Sequence, residues 1–213
     1  MTTLLNWLWP TTRGSTPEIH VSLSVCPKAL SRSGSVPFSI ILTATLRAPR
    51  PVTVLSFMTL LSTSEKALYE GGFTFTDTNT GVPAPRANID LCYDFGDGGI
   101  LLGQENASMF LELQPGIPCR VEHALRLVPP APEDATGAQP IYVDKGDASG
   151  LESGRVYKIG LGDEQATIAW WTYGTKDDVL NAEGRSGKES VDDTKPIPLP
   201  LLLDKTAVFE VVT

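Results

Sequence analysis

The sequence predicts an all-β protein, a sandwich of antiparallel sheets with minimal helix, and three observations carry that prediction. Apolar and polar residues alternate with a period of two in segment after segment. These segments are short and separated by clusters of Gly, Pro, Asn and Asp, the punctuation expected of a sandwich or barrel. Helix-length amphipathic windows are nearly absent. A chain of 213 residues, 41% of them hydrophobic, can bury a substantial core.

From Ile19 to Cys26, the residues Ile19, Val21, Leu23 and Val25 share one face, and His20, Ser22, Ser24 and Cys26 share the other. From Phe38 to Arg47, the set Phe38, Ile40, Leu42, Ala44 and Leu46 alternates with Ser39, Ile41, Thr43, Thr45 and Arg47. The apolar run Val52–Leu61, reached through the Ala48-Pro-Arg-Pro51 turn, reads as one long strand. Phe73–Asp77 follows, bounded by Gly71-Gly72 and the Asn79–Gly81 turn. Met109–Leu113, Cys119–Leu127, Val156–Leu161, Ala166–Tyr173 and Ala207–Val212 complete the strands. Thr175 to Asp178 has capping-box spacing and predicts one helical turn running to Asn181. Leu4–Trp9 reads as another short helix, ending before Pro10.

In domain terms, residues 1–14 form an N-terminal segment and 15–213 a single domain with long loops at about 129–150 and 183–203. The first loop is Pro-rich and then carries turn chemistry at Asp144–Asp147, with Pro140–Val143 as an edge-strand candidate. In the second, the composition of Gly184–Asp193 predicts disorder, and Pro196, Pro198 and Pro200 predict an extended end.

Charge and composition narrow the function classes. Lys plus Arg is 17 and Asp plus Glu is 25, a formal net charge of −8, which argues against nucleic acid and anionic membranes as partners. An integral membrane helix is not expected, since no 18-residue uncharged apolar run occurs. Cys26, Cys92 and Cys119 are too few and odd in number for a disulfide framework. The first residues lack the basic start and long apolar core of a secretory signal, so a reduced, cytoplasmic protein is expected.

One corner pattern stands out. Leu151-Glu-Ser-Gly154-Arg-Val-Tyr157 has the form Leu-x-x-Gly-x-x-Tyr, and Leu113-Gln-Pro-Gly116 repeats its first half with Cys119 in the tyrosine position. The pattern resembles the corner before strand F of immunoglobulin-like and fibronectin-like sandwiches, where a leucine plugs the core, glycine permits the turn and the tyrosine hydroxyl bonds back to the backbone. With the Trp170–Asp178 stretch and the apolar ending Ala207–Val212, the whole chain resembles a group of uncharacterised fungal β-sandwich proteins. Its layout is also similar to intracellular proteinase-inhibitor domains and to immunoglobulin-like peptidase propeptides. The resemblance implies an immunoglobulin-like antiparallel sandwich, and no inhibitory loop carries over residue by residue.

Residues able to carry chemistry are few. Of the two histidines, His123 alternates with Val121 and Leu125 and so faces the core, whereas His20 faces outward. His123 reads first as a hydrogen-bonded core histidine; the sharper reading makes it an acid/base group, with Asp90 or Asp94 as its carboxylate. Glu122 points to the opposite face, and Cys119 lies about 13 Å away along the strand. No zinc spacing occurs, Asp90, Asp94 and Asp97 miss the EF-hand pattern, and neither a metal nor a cofactor is expected. In Ala166–Tyr173 strict alternation puts Trp170 on one face and Trp171 with Tyr173 on the other, so one tryptophan belongs to the core. The other must be covered by the chain itself, with Pro196–Leu203 or the N-terminal Trp7 and Trp9 as the first expectation, or else by a partner or a ligand.

The reading that follows is a non-catalytic module recognising a protein or peptide, in the manner of a proteinase inhibitor, with Trp170, Trp171 and Tyr173 as binding anchors. Its alternative is an atypical isomerase, cyclase or hydrolase of fungal secondary metabolism. That enzyme would hold a small hydrophobic ligand between the sheets, with His123 and Asp90 or Asp94 at its wall.

Overall fold

The computed structural model describes residues 16–34, 36–62, 71–85, 99–125, 150–163, 165–181, 189–193 and 196–213. The segment 1–14, the Leu4–Trp9 helix, Cys92, the acidic residues Asp90, Asp94 and Asp97, and the 129–149 loop lie outside the described residues. The chain is mainly β. Its strands are β1 (Glu18–Cys26), β2 (Ala29–Ser31), β3 (Phe38–Arg47), β4 (Val52–Leu55), β5 (Phe73–Asp77), β6 (Phe110–Leu113), β7 (Cys119–Leu125), β8 (Val156–Leu161), β9 (Thr167–Ile168), β10 (Trp171–Tyr173), β11 (Leu199–Lys205) and β12 (Ala207–Val212). Among the described residues there is one α-helical turn, α1 (Lys176–Leu180), and two 3-10 turns, at Gln104–Met109 and Val191–Asp193.

Three sheets form: β7-β3-β1-β11-β9, β10-β4-β6 and β2-β12-β8-β5. The first curls into the second. β3 passes into β4 through the bend at 48–51, β6 into β7 through 114–118, and β9 into β10 through Ala169-Trp170. A bond from Gly116 N–H to Leu46 O (3.0 Å) keeps the two bends side by side. The result is a half-barrel, against whose concave side the four-stranded sheet packs.

The expected alternation holds where it is strict. Along β3 every second residue from Phe38 to Leu46 is buried, and β1 pairs with β3 antiparallel from Glu18↔Arg47 to Cys26↔Ser39. The sheets are nevertheless mixed rather than antiparallel throughout, because β11 runs parallel to β1 and β12 parallel to β2. Alternation reports which face a side chain takes and says nothing of the direction of the neighbouring strand.

Three expectations change. The run Val52–Leu61 is a strand only to Leu55; a tight turn follows, in which Met58 has a positive φ of 61°. Thr59 Oγ1 donates to Ser56 O (2.7 Å) within that turn. Leu60 and Leu61 are buried all the same, and an unbroken apolar run looks alike in a strand and in a buried turn. Second, the 183–203 loop ends in β11, an interior strand whose Leu201 lies opposite Ile19 of β1. Pro200 is tolerated there because it precedes the first β1 pairing, where no donor is required. Third, Glu189–Asp193 is not a free loop. Leu102 N–H donates to Glu189 O (2.8 Å) and Val191 N–H to Ile100 O (2.9 Å).

Local chemistry explains the remaining features. Thr175 caps α1 by accepting from Asp178 N–H, as its spacing predicts, and Asn181 ends the turn. At the corner, Leu151 is buried, Gly154 takes φ 77°, and Tyr157 Oη accepts from Glu152 N–H at 3.0 Å. Only glycine takes that φ without strain.

The main core lies between the half-barrel and the four-stranded sheet. Phe209 of β12 sits at its centre, its ring centroid 4.9 Å from Phe38 of β3 and 5.8 Å from Phe75 of β5. A satellite core of Ile100, Leu102, Phe110, Trp170, Val179 and Leu180 fills the space beneath α1.

Candidate functional site

The aromatic run does not form one strand. β9 and β10 are parted by Ala169 and Trp170, where the chain leaves β11 for β4; Leu55 N–H donates to Trp170 O at 3.0 Å. That break shifts the alternation expected over Ala166–Tyr173. Ile168, Trp171 and Tyr173 all pack on the main core. Trp170 turns into the satellite core, 4% exposed, with its ring edge-on to Phe110 at 5.5 Å. The two tryptophans do take opposite sides, but Trp170 is sealed in.

Trp171 and Tyr173 are half-buried and stand almost perpendicular, at 88° and 5.5 Å between centroids. The guanidinium of Arg50 lies 4.3 Å from the centre of the Tyr173 ring, a cation–π distance. The fold makes this meeting unavoidable. Tyr173 pairs with Val52 in the β10–β4 ladder, and Gly174 N–H donates to Pro51 O (2.9 Å), which draws the 48–51 bend across the ring. On the far side, Trp171 Nε1–H donates to Ile197 O at 2.9 Å, so the Pro196–Pro198 segment covers one edge of the indole. Ile197 itself is 77% exposed. The Pro196–Leu203 segment is one of the two covers expected for the second tryptophan, and Ile197 O is the atom that makes the contact. Arg50 was not foreseen, because the prolines around it read only as a turn.

His123 is in the core, 2% exposed, as its alternation predicts. Its Nε2–H donates to Leu60 O (3.1 Å), and its ring meets Phe73 edge-to-face at 5.2 Å. Nδ1 is buried and has no hydrogen-bond partner among the described residues. Desolvation, opposed by the Leu60 bond, holds the ring below its ordinary pKa and therefore neutral. Cys119 shares its inward face; burial pushes that thiol up. Glu122 is exposed on the other face and pairs with Arg120 at 3.3 Å. Asp90 and Asp94, the carboxylates expected beside His123, lie outside the described residues.

His20 is its counterpart on the outer face of the same sheet. Its Nε2 bonds to Glu18 Oε2 (3.0 Å) and its Nδ1 to Asp204 Oδ1 (2.8 Å), while Arg47 stands 3.9 Å from Asp204. Two carboxylates bonded to both nitrogens favour the imidazolium. The Glu18 bond and then the Asp204 bond raise the pKa, against desolvation and Arg47. The two histidines therefore shift in opposite directions from 6.5. Stability contributed by His20 is complete below its unfolded value and fades as pH rises through the raised folded value. His123 works the other way, costing stability as pH falls below its unfolded value, since only the unfolded chain takes up the proton readily. An NMR titration is expected to show one imidazole titrating above 6.5 and the other below, with Asp204→Asn moving only the first. Two superimposed curves at the ordinary value would contradict both environments.

Among the described residues, no three His, Cys, Asp or Glu side chains converge as a metal site requires, and no helix is long and apolar enough to cross a membrane. No protein-family model matches the chain, and a search of curated proteins finds no match.

Proposed function

We propose that this chain is a non-catalytic binding module for a protein or peptide, built on an immunoglobulin-like sandwich, with Trp171 and Tyr173 as its anchors and Arg50 beside them. The observation that carries the proposal is the continuous row Arg50–Tyr173–Trp171 on the three-stranded sheet, half-buried aromatics ending in an exposed cation. Trp, Tyr and Arg are the side chains that most often dominate binding energy: they bury large areas and keep a polar handle. The half-barrel holds their backbones rigidly, which lowers the ordering cost of association. Support for the immunoglobulin-like reading comes from the Leu151–Tyr157 corner and its back-bonded hydroxyl. An inhibitor-like role in the cytoplasm belongs to the same proposal. The exposed free thiol of Cys26 suits a reducing compartment.

The test is capture of partners by the tagged full-length chain, followed by affinity measurement on purified components. Trp171→Ala is expected to weaken the complex by about 2 kcal/mol or more, about thirty-fold. The exposed Ile117, on the β6–β7 bend, supplies the control, and Ile117→Ala is expected to change affinity less than about threefold. If Trp171→Ala retains every partner at full affinity, this face is not the binding site.

A further inference from the structure

The segment covering Trp171 has the chemistry of a ligand. Pro196, Ile197 and Pro198 precede the first ladder residue of β11, Leu199, so they are not held by sheet pairing. Prolines at 196, 198 and 200 fix φ at three alternate positions and keep the backbone extended. The carbonyl between two of these prolines, Ile197 O, receives the indole N–H of Trp171 at 2.9 Å. Ile197 meanwhile extends into solvent, 77% exposed, and contributes little packing to the chain's own core. An aromatic notch that donates an indole N–H to a carbonyl flanked by prolines is the arrangement by which polyproline-type segments are recognised between proteins. Here the segment is supplied in cis.

We infer that Trp171 and Tyr173 form a recognition notch for extended proline-rich peptides, and that Pro196–Pro198 is a resident strap that competes with them. The inference rests on the binding-module reading and adds to it the class of partner and the way access is controlled. A peptide with alternating prolines needs no ordering of its own backbone on binding. It would place one carbonyl on Trp171 Nε1–H where Ile197 O now sits. The exposed guanidinium of Arg50, over the Tyr173 ring, would meet an acidic residue flanking the prolines.

The test uses the full chain and a synthetic peptide copying residues 196–201 of this sequence, followed by the indole N–H resonance of Trp171, which is assigned by its loss in Trp171→Phe. The peptide is expected to shift that resonance and to bind weakly, because the strap is already in place. The double variant Pro196→Gly/Pro198→Gly loosens the strap. If the strap occupies the notch in about nine-tenths of molecules, its release tightens the peptide about tenfold. Trp171→Phe keeps an aromatic face but loses the indole donor, and is expected to weaken the peptide about fivefold in the loosened background. A loosened strap that leaves peptide affinity unchanged would overturn the inference, and so would full-strength binding to Trp171→Phe. A peptide that binds without disturbing the Trp171 resonance would do the same. These measurements need no natural partner, so their failure leaves the capture experiment with Trp171→Ala standing on its own result.

Discussion

Phe209→Ala is expected to lower the unfolding free energy by about 3–5 kcal/mol, the usual cost of emptying a fully buried aromatic site. Phe209 is 1% exposed and joins the two layers: it meets Phe38 of the half-barrel and both Phe75 and Tyr157 of the four-stranded sheet. Removing it opens a void that neither sheet can fill alone, since each is held by its own ladder. Against a typical total stability of about 5–15 kcal/mol, such a loss leaves a marginal protein. At about 2–4 °C per kcal/mol for a chain of this size, the melting temperature should fall by roughly 6–20 °C. Its neighbour Val208 points outward and is 50% exposed, so Val208→Ala should stay within about 0.5 kcal/mol. Denaturant unfolding of the two variants settles the matter. Equal losses would mean that the layers do not meet at Phe209.

Gly162→Ala is the second large effect, and it arises by crowding instead of by loss. A Cβ at Gly162 would lie 1.9 Å from Gly71 O, a backbone atom that cannot rotate away. Gly162 N–H also donates to Gly72 O at 2.8 Å, so relieving the clash pulls on a bond that closes the β5–β8 end of the sheet. Overpacking of this kind costs about 1–3 kcal/mol and more where backbone must move, and the upper end is expected here. Two residues earlier, a Cβ at Gly160 meets only Thr74 Oγ1, at 2.6 Å, and that side chain can change rotamer. Gly160→Ala should therefore cost less than about 1 kcal/mol, helped by the better strand propensity of alanine. The ranking of the two glycines, measured by thermal unfolding, is the check. A harmless Gly162→Ala would show that the 71–72 and 162 backbones do not approach as described.

The same contrast runs through the candidate site. The inward aim of His123 was legible because β7 keeps strict alternation, and its burial follows from its place between Val121 and Leu125. Its partner was not legible, because the carbonyl that meets it, Leu60 O, comes from a turn that resembles a strand in sequence. For the aromatic run, sequence placed the two tryptophans on opposite sides. Which of them is sealed depends on the chain switching sheets at Ala169-Trp170, and that is a matter of which strands happen to lie alongside. Arg50 and Ile197 reach Tyr173 and Trp171 only through the β10–β4 ladder and the entry to β11.

Taken by itself, the amino-acid order determined the β character, the faces of β1, β3, β7 and β12, the cap on α1 and the Leu151–Tyr157 corner. Each depends on interactions within a few residues, where side-chain direction and backbone preference are local. Tertiary structure alone decided the parallel pairings of β11 and β12, the curl into a half-barrel, the strand made from a proline-rich tail and the choice of Trp171 as the tryptophan that this tail covers. These join segments far apart in the chain, and their free energy comes from shared burial and paired backbone groups, which no single segment carries.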